Sequence, residues 1–159
     1  MALEIERKFL VLNDDWRATV ERATPIRQGY FCRTPLMCAR IRVLGDQGFI
    51  TIKSEHGSLV RHEFEYEIPK PDAIEMINRF CIEPIIAKTR HSVTYHGNLW
   101  TIDVFEGANT GLVVAEVELT DAAQSVALPP WAGADVTSDK RYGNANLASN
   151  PFTTWNDAA

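Results

Sequence analysis

Cysteine is scarce in this sequence. Cys32, Cys38 and Cys81 are the three present and none belongs to a C-x-x-C pair, so neither a disulfide framework nor a zinc site is expected. A basic excess is missing too: Lys and Arg number 16 against 21 Asp and Glu, a formal net charge of −5. A general electrostatic grip on DNA or RNA is therefore not expected. No apolar run approaches the roughly 18 residues that cross a bilayer, so no membrane partner is expected. The N-terminus is charged from Glu4 onward and has no apolar signal-peptide core, so the chain is expected to stay in the cytoplasm. Repeats, low-complexity tracts and Ser/Gly linkers are lacking. The 159 residues, 17.9 kDa, suit a single domain over 1–159, with 150–159 expected to be a flexible, weakly held tail. His56, His62, His91 and His96 show no H-x-H or H-x-x-x-H spacing, and no phosphate loop or Ser/His/Asp set is present.

What the sequence has is alternation. Period-2 patterns cut by turn residues predict strands near 3–11, 26–32, 37–44, 48–54, 61–68, 87–95, 99–106 and 112–119. Gly45-Asp46-Gln47-Gly48, Glu55-His56-Gly57-Ser58, His96-Gly97-Asn98 and Gly107-Ala108-Asn109-Thr110-Gly111 are hairpin-type connections. Helices are fewer. Asp14 to Arg22 is expected as a short amphipathic helix, Pro71-Asp72 starts a second with Ile74, Ile77, Phe80 and Cys81 on one face, and Asn144 to Ser149 forms a last one. Pro129-Pro130 marks a loop, after which Trp131 is expected to pack against the sheet. Eight mostly antiparallel strands and three short helices make an α+β domain whose sheet is large enough to close.

Strands send alternate side chains to opposite faces. The polar parity collects the acids Glu4, Glu6, Glu63, Glu65, Glu67, Asp103, Glu116 and Glu118 and the bases Lys8, Arg40, Arg42, Lys53, Arg61, Lys88 and Arg90. A half-buried sheet normally has one polar, solvated face, but here the identity of the charges matters. Glu4/Glu6, Arg40/Arg42, Glu63/Glu65, Lys88/Arg90 and Glu116/Glu118 are like-charge doublets at i and i+2. Members of such a doublet stand roughly 7 Å apart. They repel by about 0.6 kcal/mol in water and about 2.4 kcal/mol at an effective dielectric of 20. Paired carboxylates suit hard cations and paired Arg and Lys suit phosphate oxygens. Together they point to an anion carried with its metal. Unpaired ions cannot form a dry core, so this face is expected to line water or a ligand. A barrel of eight strands has an interior that side chains fill or that holds one small ligand.

Glu4-Ile5-Glu6-Arg7-Lys8 is an E-x-E-x-K strand. It is followed in order by Gln28-Gly29-Tyr30, Arg40-Ile41-Arg42, Thr51-Ile52-Lys53, Arg61-His62-Glu63-Phe64-Glu65 and Lys88-Thr89-Arg90. Then come Asp103-Val104-Phe105-Glu106-Gly107, Glu116-Val117-Glu118, Val136-Thr137 and Arg141-Tyr142-x-Asn144-x-x-Leu147. Over about residues 3–148 the sequence resembles the triphosphate tunnel metalloenzymes, or CYTH family, in its short bacterial branch. The resemblance implies an eight-stranded antiparallel closed barrel forming a tunnel with a charged lumen, and a few short helices outside and near one mouth.

It also implies that Glu4, Glu6, Glu116 and Glu118 bind metal, with Glu63, Glu65 and Asp103 as further acids, and that Lys8, Arg40, Arg42, Lys53, Lys88 and Arg90 clamp a triphosphate, with Tyr30 beside them. The expected activity is hydrolysis of triphosphates, above all inorganic tripolyphosphate, with one or two Mg²⁺ or Mn²⁺ ions. Class IV-type adenylyl cyclase, thiamine triphosphatase and a non-catalytic polyphosphate-binding module are the alternatives. A homodimer is allowed for. Lys8 or Lys53 serves as proton acceptor if its neighbours depress its pKa. The four metal-binding glutamates are expected to matter for turnover more than for folding.

Overall fold

The computed structural model describes residues 2–54 and 59–155. The strands are β1 (Ala2–Val11), β2 (Arg22–Arg33), β3 (Met37–Leu44), β4 (Gln47–Ser54), β5 (Val60–Ile68), β6 (Ile86–Tyr95), β7 (Asn98–Phe105), β8 (Val113–Glu118) and β9 (Ala132–Asp135). The helices are α1 (Lys70–Phe80) and α2 (Asn144–Ser149), with single 3-10 turns at Asp15–Thr19, Gly107–Asn109, Lys140–Tyr142 and Phe152–Thr154. Every pairing is antiparallel. Neighbours run β5-β4-β3-β2-β6-β7-β8-β1, and β1 returns to β5 through Leu3↔His62 and Glu4↔Arg61, so eight strands close into a barrel. The expected hairpin loop at 55–58 lies outside the described residues.

Three local expectations differ from the structure. Residues 14–22 form only a 3-10 turn, because β2 starts at Arg22 and extends the ladder with β6. The turn's purpose is to deliver Trp16, 1% exposed, onto the barrel's outer face against His91, ring centroids 5.0 Å apart. The unexpected β9 is four residues long and pairs with the C-terminal half of β1. It is too short, and too poor in large apolar residues, for alternation to signal it. In the C-terminal stretch, residues 150–155 are docked. Phe152 and Trp155 pack against the cluster around Tyr142 and Leu147, and Asn109 Oδ1 accepts the Phe152 N–H at 2.8 Å. Residues 156–159 lie outside the described residues.

The apolar parity is covered from outside. Phe9, Val93, Trp100, Ile102, Ala115 and Val117 of β1, β6, β7 and β8 are sealed by Trp16 and Trp131. Trp131 meets Trp100 edge-on at 5.5 Å, which is the packing role expected of it. On the opposite side α1 lays Ala73 and Ile77 over Ile41, Val43 and Ile50. Its approach requires Gly48, where a Cβ would stand 2.7 Å from that of Ala73. Among the described residues no helix is long and apolar enough to cross a membrane.

The interior is not charged throughout. Inward parity continues from Lys8 to Leu10, from Lys88 back to Ile86, from Asp103 to Phe105 and from Glu116 back to Val114. These side chains join Leu112, Val136, Tyr142 and Leu147 of α2 in an apolar plug that fills the barrel at that level. The charged residues occupy the rest.

Candidate active site

Within the barrel is a cavity of about 460 Å³, in the range of small-ligand sites. One wall holds Glu4, Glu6, Lys8, Glu116 and Glu118 from β1 and β8. Another holds Arg40, Arg42, Lys53, Arg61, Glu63 and Glu65 from β3, β4 and β5, with Tyr30 and Arg90 between, and Gly143 to Asn146 at the start of α2 complete it. The predicted site residues are thus brought together, with two exceptions. Lys88 and Asp103, 2% and 1% exposed, do not line the cavity. Contrary to the expectation that the polar face is wet, they are buried beyond Arg90. This is tolerable because both are fully paired: Lys88 Nζ donates to Asp103 Oδ2 at 2.7 Å and to Asn144 Oδ1 at 3.1 Å. Arg90 donates to both Asp103 oxygens at 2.8 Å. Glu67 also lies away from the cavity, exposed at the far end of β5.

The like-charge doublets are bridged. Arg61 reaches Glu4 at 3.4 Å and Glu6 at 2.9 Å. Glu65 takes Arg42 at 3.1 Å and Arg40 at 3.6 Å, and also accepts from Thr51 Oγ1 at 2.7 Å. Arg40 spans Glu63 and Glu65, and Asp103 spans Lys88 and Arg90. Lys53 donates to both Glu4 oxygens at 3.0 Å, and Lys8 meets Glu116 at 3.3 Å. The fifth doublet is different. Glu116 pairs with Lys8 and Arg90, whereas Glu118 has no ion pair among the described residues.

Electrostatics follow from that pairing. Burial pushes Glu116 up, but Lys8 and Arg90 outweigh it and bring it to about 2. Glu6 goes the other way: burial, Glu116 and Glu4 raise it to about 7 despite Lys8 and Lys53. Glu118 is raised by burial and by Glu4 and Glu63. Burial lowers Lys88 to about 8, with Asp103 opposing the fall and the like charge of Arg90 adding to it. Asp103, with two cations against it, is held well below the carboxylate range in spite of its burial. Lys8 is lowered by burial but raised further by Glu116 and Glu6, so it stays an ammonium.

Tyr30 is part of a short chain. Gln28 Nε2 donates to its hydroxyl at 3.3 Å and Arg40 hydrogen-bonds the same oxygen, while burial raises the phenol. Gln28 is fully buried, and its Oε1 has no partner, like Nε of Arg40 and of Arg42.

Sequence reasoning gave Arg61 no role beyond its parity, although it bridges Glu4 and Glu6. It also missed Arg33. Strict alternation sends Arg33 outward, but β2 bulges between Tyr30 and Cys32, so Arg33 comes opposite Cys38, an inward residue. From there it donates to Asn146 Oδ1 at 2.6 Å and to the Ala145 carbonyl at 3.3 Å, holding α2 over the cavity. Arg141 and Tyr142 have structural positions. Arg141 pairs with Asp139, and the Tyr142 carbonyl accepts from Lys8 Nζ at 3.4 Å.

The CYTH domain model matches residues 2–149 of the chain. An inorganic triphosphatase of Acetivibrio thermocellus is 38% identical over 157 residues, 99% of this chain and 100% of that protein. An inorganic triphosphatase of Nitrosomonas europaea is 42% identical over 149 residues, 91% of this chain and 96% of that one. The crystal structure of the inorganic triphosphatase NE1496 superposes with a TM-score of 0.67 at 40% identity, covering 93% of this chain and 95% of its own.

Proposed function

We propose, from the premise that this chain belongs to the CYTH domain family, that it is a metal-dependent hydrolase of triphosphates whose preferred substrate is inorganic tripolyphosphate. The observation that carries this reading is one cavity whose walls hold ion-bridged basic doublets and a surplus of carboxylate on β1 and β8. The relatives described above as inorganic triphosphatases support it.

Glu4, Glu6, Glu116 and Glu118 suit a hard divalent cation, Mg²⁺ or Mn²⁺. Among the described residues Glu118 has no ion pair, and Glu6 is pushed up by burial and then by Glu116 and Glu4, so this wall carries carboxylate that its bases do not fully offset. Among the described residues no three acids already converge as a metal cluster. Arg61 and Lys53 hold Glu4, and Lys8 holds Glu116, until an anion draws those cations away. A bound cation of this class neutralises phosphoryl charge and lowers the pKa of a water ligand.

Phosphoanhydride hydrolysis asks the protein mainly for position and charge. Arg40, Arg42, Lys53 and Arg61 face the anion from one side, with Lys8 and Arg90 from the other, so phosphoryl oxygens exchange for carboxylates as their partners. Each such charge-assisted contact is worth about 1.5–3 kcal/mol. Lys8 is assigned to binding, since Glu116 and Glu6 keep it protonated. Asp103 aims Arg90 through two parallel hydrogen bonds.

The test is phosphate release from tripolyphosphate, ATP and thiamine triphosphate, with Mg²⁺, with Mn²⁺ and with excess chelator, measuring cyclic AMP in parallel. Release from tripolyphosphate that stops in chelator is expected. Full activity in chelator overturns the metal role, and cyclic AMP as main product overturns hydrolysis.

A further inference from the structure

A second cavity, of about 570 Å³, lies where β2 begins and the β3–β4 hairpin turns. Arg90 lines both cavities, and so forms part of the partition between them. In the β2–β6 register Arg22 stands opposite Ser92 and Thr24 opposite Arg90, and all four residues border this space. Arg22 is exposed at the edge of this space, unlike the buried and half-buried bases of the interior. Lys8, Arg40, Arg42, Lys53, Arg61, Lys88 and Arg90 are each ion-paired, whereas among the described residues Arg22 has no carboxylate partner. Asp46, the acid at this cavity, is engaged by Lys70 at 3.4 Å.

We propose that this second cavity is a holding site for a single phosphate oxyanion, the orthophosphate released in the first cavity, with Arg22 as its counter-charge and the Thr24 and Ser92 hydroxyls as donors. It rests on the triphosphatase reading above. In the first cavity every base is already balanced by carboxylates. At Arg22 the balance fails, so the potential at this end favours a freed anion. One guanidinium with two hydroxyls matches one phosphoryl group. The cavity has no set of carboxylates for a metal-bound triphosphate, so the intact substrate is not its ligand.

Inorganic phosphate titrated into isotope-labelled protein, in chelator and without substrate, tests the site by amide shifts. Shifts at residues 22–24, 45–47 and 92 are expected, and R22E should abolish them. In steady-state assays R22E should weaken product inhibition by orthophosphate at least fivefold and leave the KM for tripolyphosphate within twofold of wild type. R22Q, which removes charge without reversing it, should fall between. Shifts confined to the Arg40, Lys53 and Arg61 wall, or orthophosphate inhibition unchanged in R22E, overturn the proposal. Failure of the triphosphatase reading is visible separately, as absence of phosphate release from tripolyphosphate by the wild-type protein in the same assay.

Discussion

Glu6 and Glu116 lie on neighbouring strands of one lumen and have opposite effects on stability. Unfolded, a glutamate releases its proton near 4.5; folded, Glu6 does so near 7. Between those values the native state keeps a proton that the unfolded chain has lost, so stability falls as pH rises through this window and stays reduced above it. Glu116 titrates near 2 in the fold, so its contribution is complete above about 4.5 and is lost as pH drops toward 2. In chelator at pH 8, Glu6→Gln should therefore melt above wild type, with the gain gone by about pH 4.5. Glu116→Gln should melt well below wild type, because Lys8 and Arg90 lose a buried partner, a loss of about 3–5 kcal/mol. Calorimetry at the two pH values checks both, and a shift of both variants in the same direction at pH 8 contradicts this account. On this account Glu116 contributes to folding, whereas the sequence, with no view of its burial against Lys8 and Arg90, led to the expectation of a role in turnover more than in the fold.

A bulge in β2 links strand geometry to the roof of the site. It turns Arg33 toward α2, a six-residue helix that contributes one fully buried residue, Leu147, to the core. A helix this short has little stability of its own, so its position depends on contacts such as those of Arg33. Arg33→Ala should raise the KM for tripolyphosphate severalfold and speed amide exchange across 144–149, while exchange in β6 and β7 stays at the wild-type rate. Unchanged exchange in α2 would show that Leu147 packing alone holds the helix. On the other side of the barrel, Gly48→Ala places a methyl group 2.7 Å from Ala73 and 3.0 Å from the Ile68 carbonyl. Overpacking of this kind costs about 1–3 kcal/mol. The melting temperature should fall accordingly, with KM unaltered, since α1 does not border the cavity.

At the scale of the whole molecule, the barrel sorts aromatics outward and charge inward, and the substrate preference expected under the proposed function follows from this. Trp100 is sealed in the outer layer, and Phe64 and Tyr66 lie exposed on the outer face of β5. The inward aromatics are already engaged. Tyr30 is bonded to Gln28 and Arg40, Arg42 stands over the Phe49 ring at 5.7 Å, and Phe105 is buried in the apolar plug. Among the described residues the cavity offers an adenine base the exposed side chain of Leu99 but no free aromatic face, whereas phosphate finds cations along its length. The kcat/KM for tripolyphosphate should exceed that for ATP by at least tenfold, a difference of about 1.4 kcal/mol at the transition state. Equal turnover of ATP and tripolyphosphate would contradict this.

Alternation by itself determined the strands and the shared face of Glu4, Lys8, Arg40, Lys53 and Glu116, because a strand's period of two assigns every side chain a face before any partner is known, while the closure of the sheet came with the family resemblance. Resemblance in the order of charged motifs determined the family. Tertiary structure alone decided which inward charges meet the cavity. Lys88 and Asp103 have the same parity as Arg90 but are buried, since strand stagger sets depth along the barrel and parity carries no depth. It also decided where alternation breaks, at the β2 bulge, and which counter-charge closes each doublet. Those pairings join residues as far apart as Glu6 and Arg61, or Lys8 and Glu116, and a one-dimensional pattern holds no distance between strands that meet only when the barrel closes.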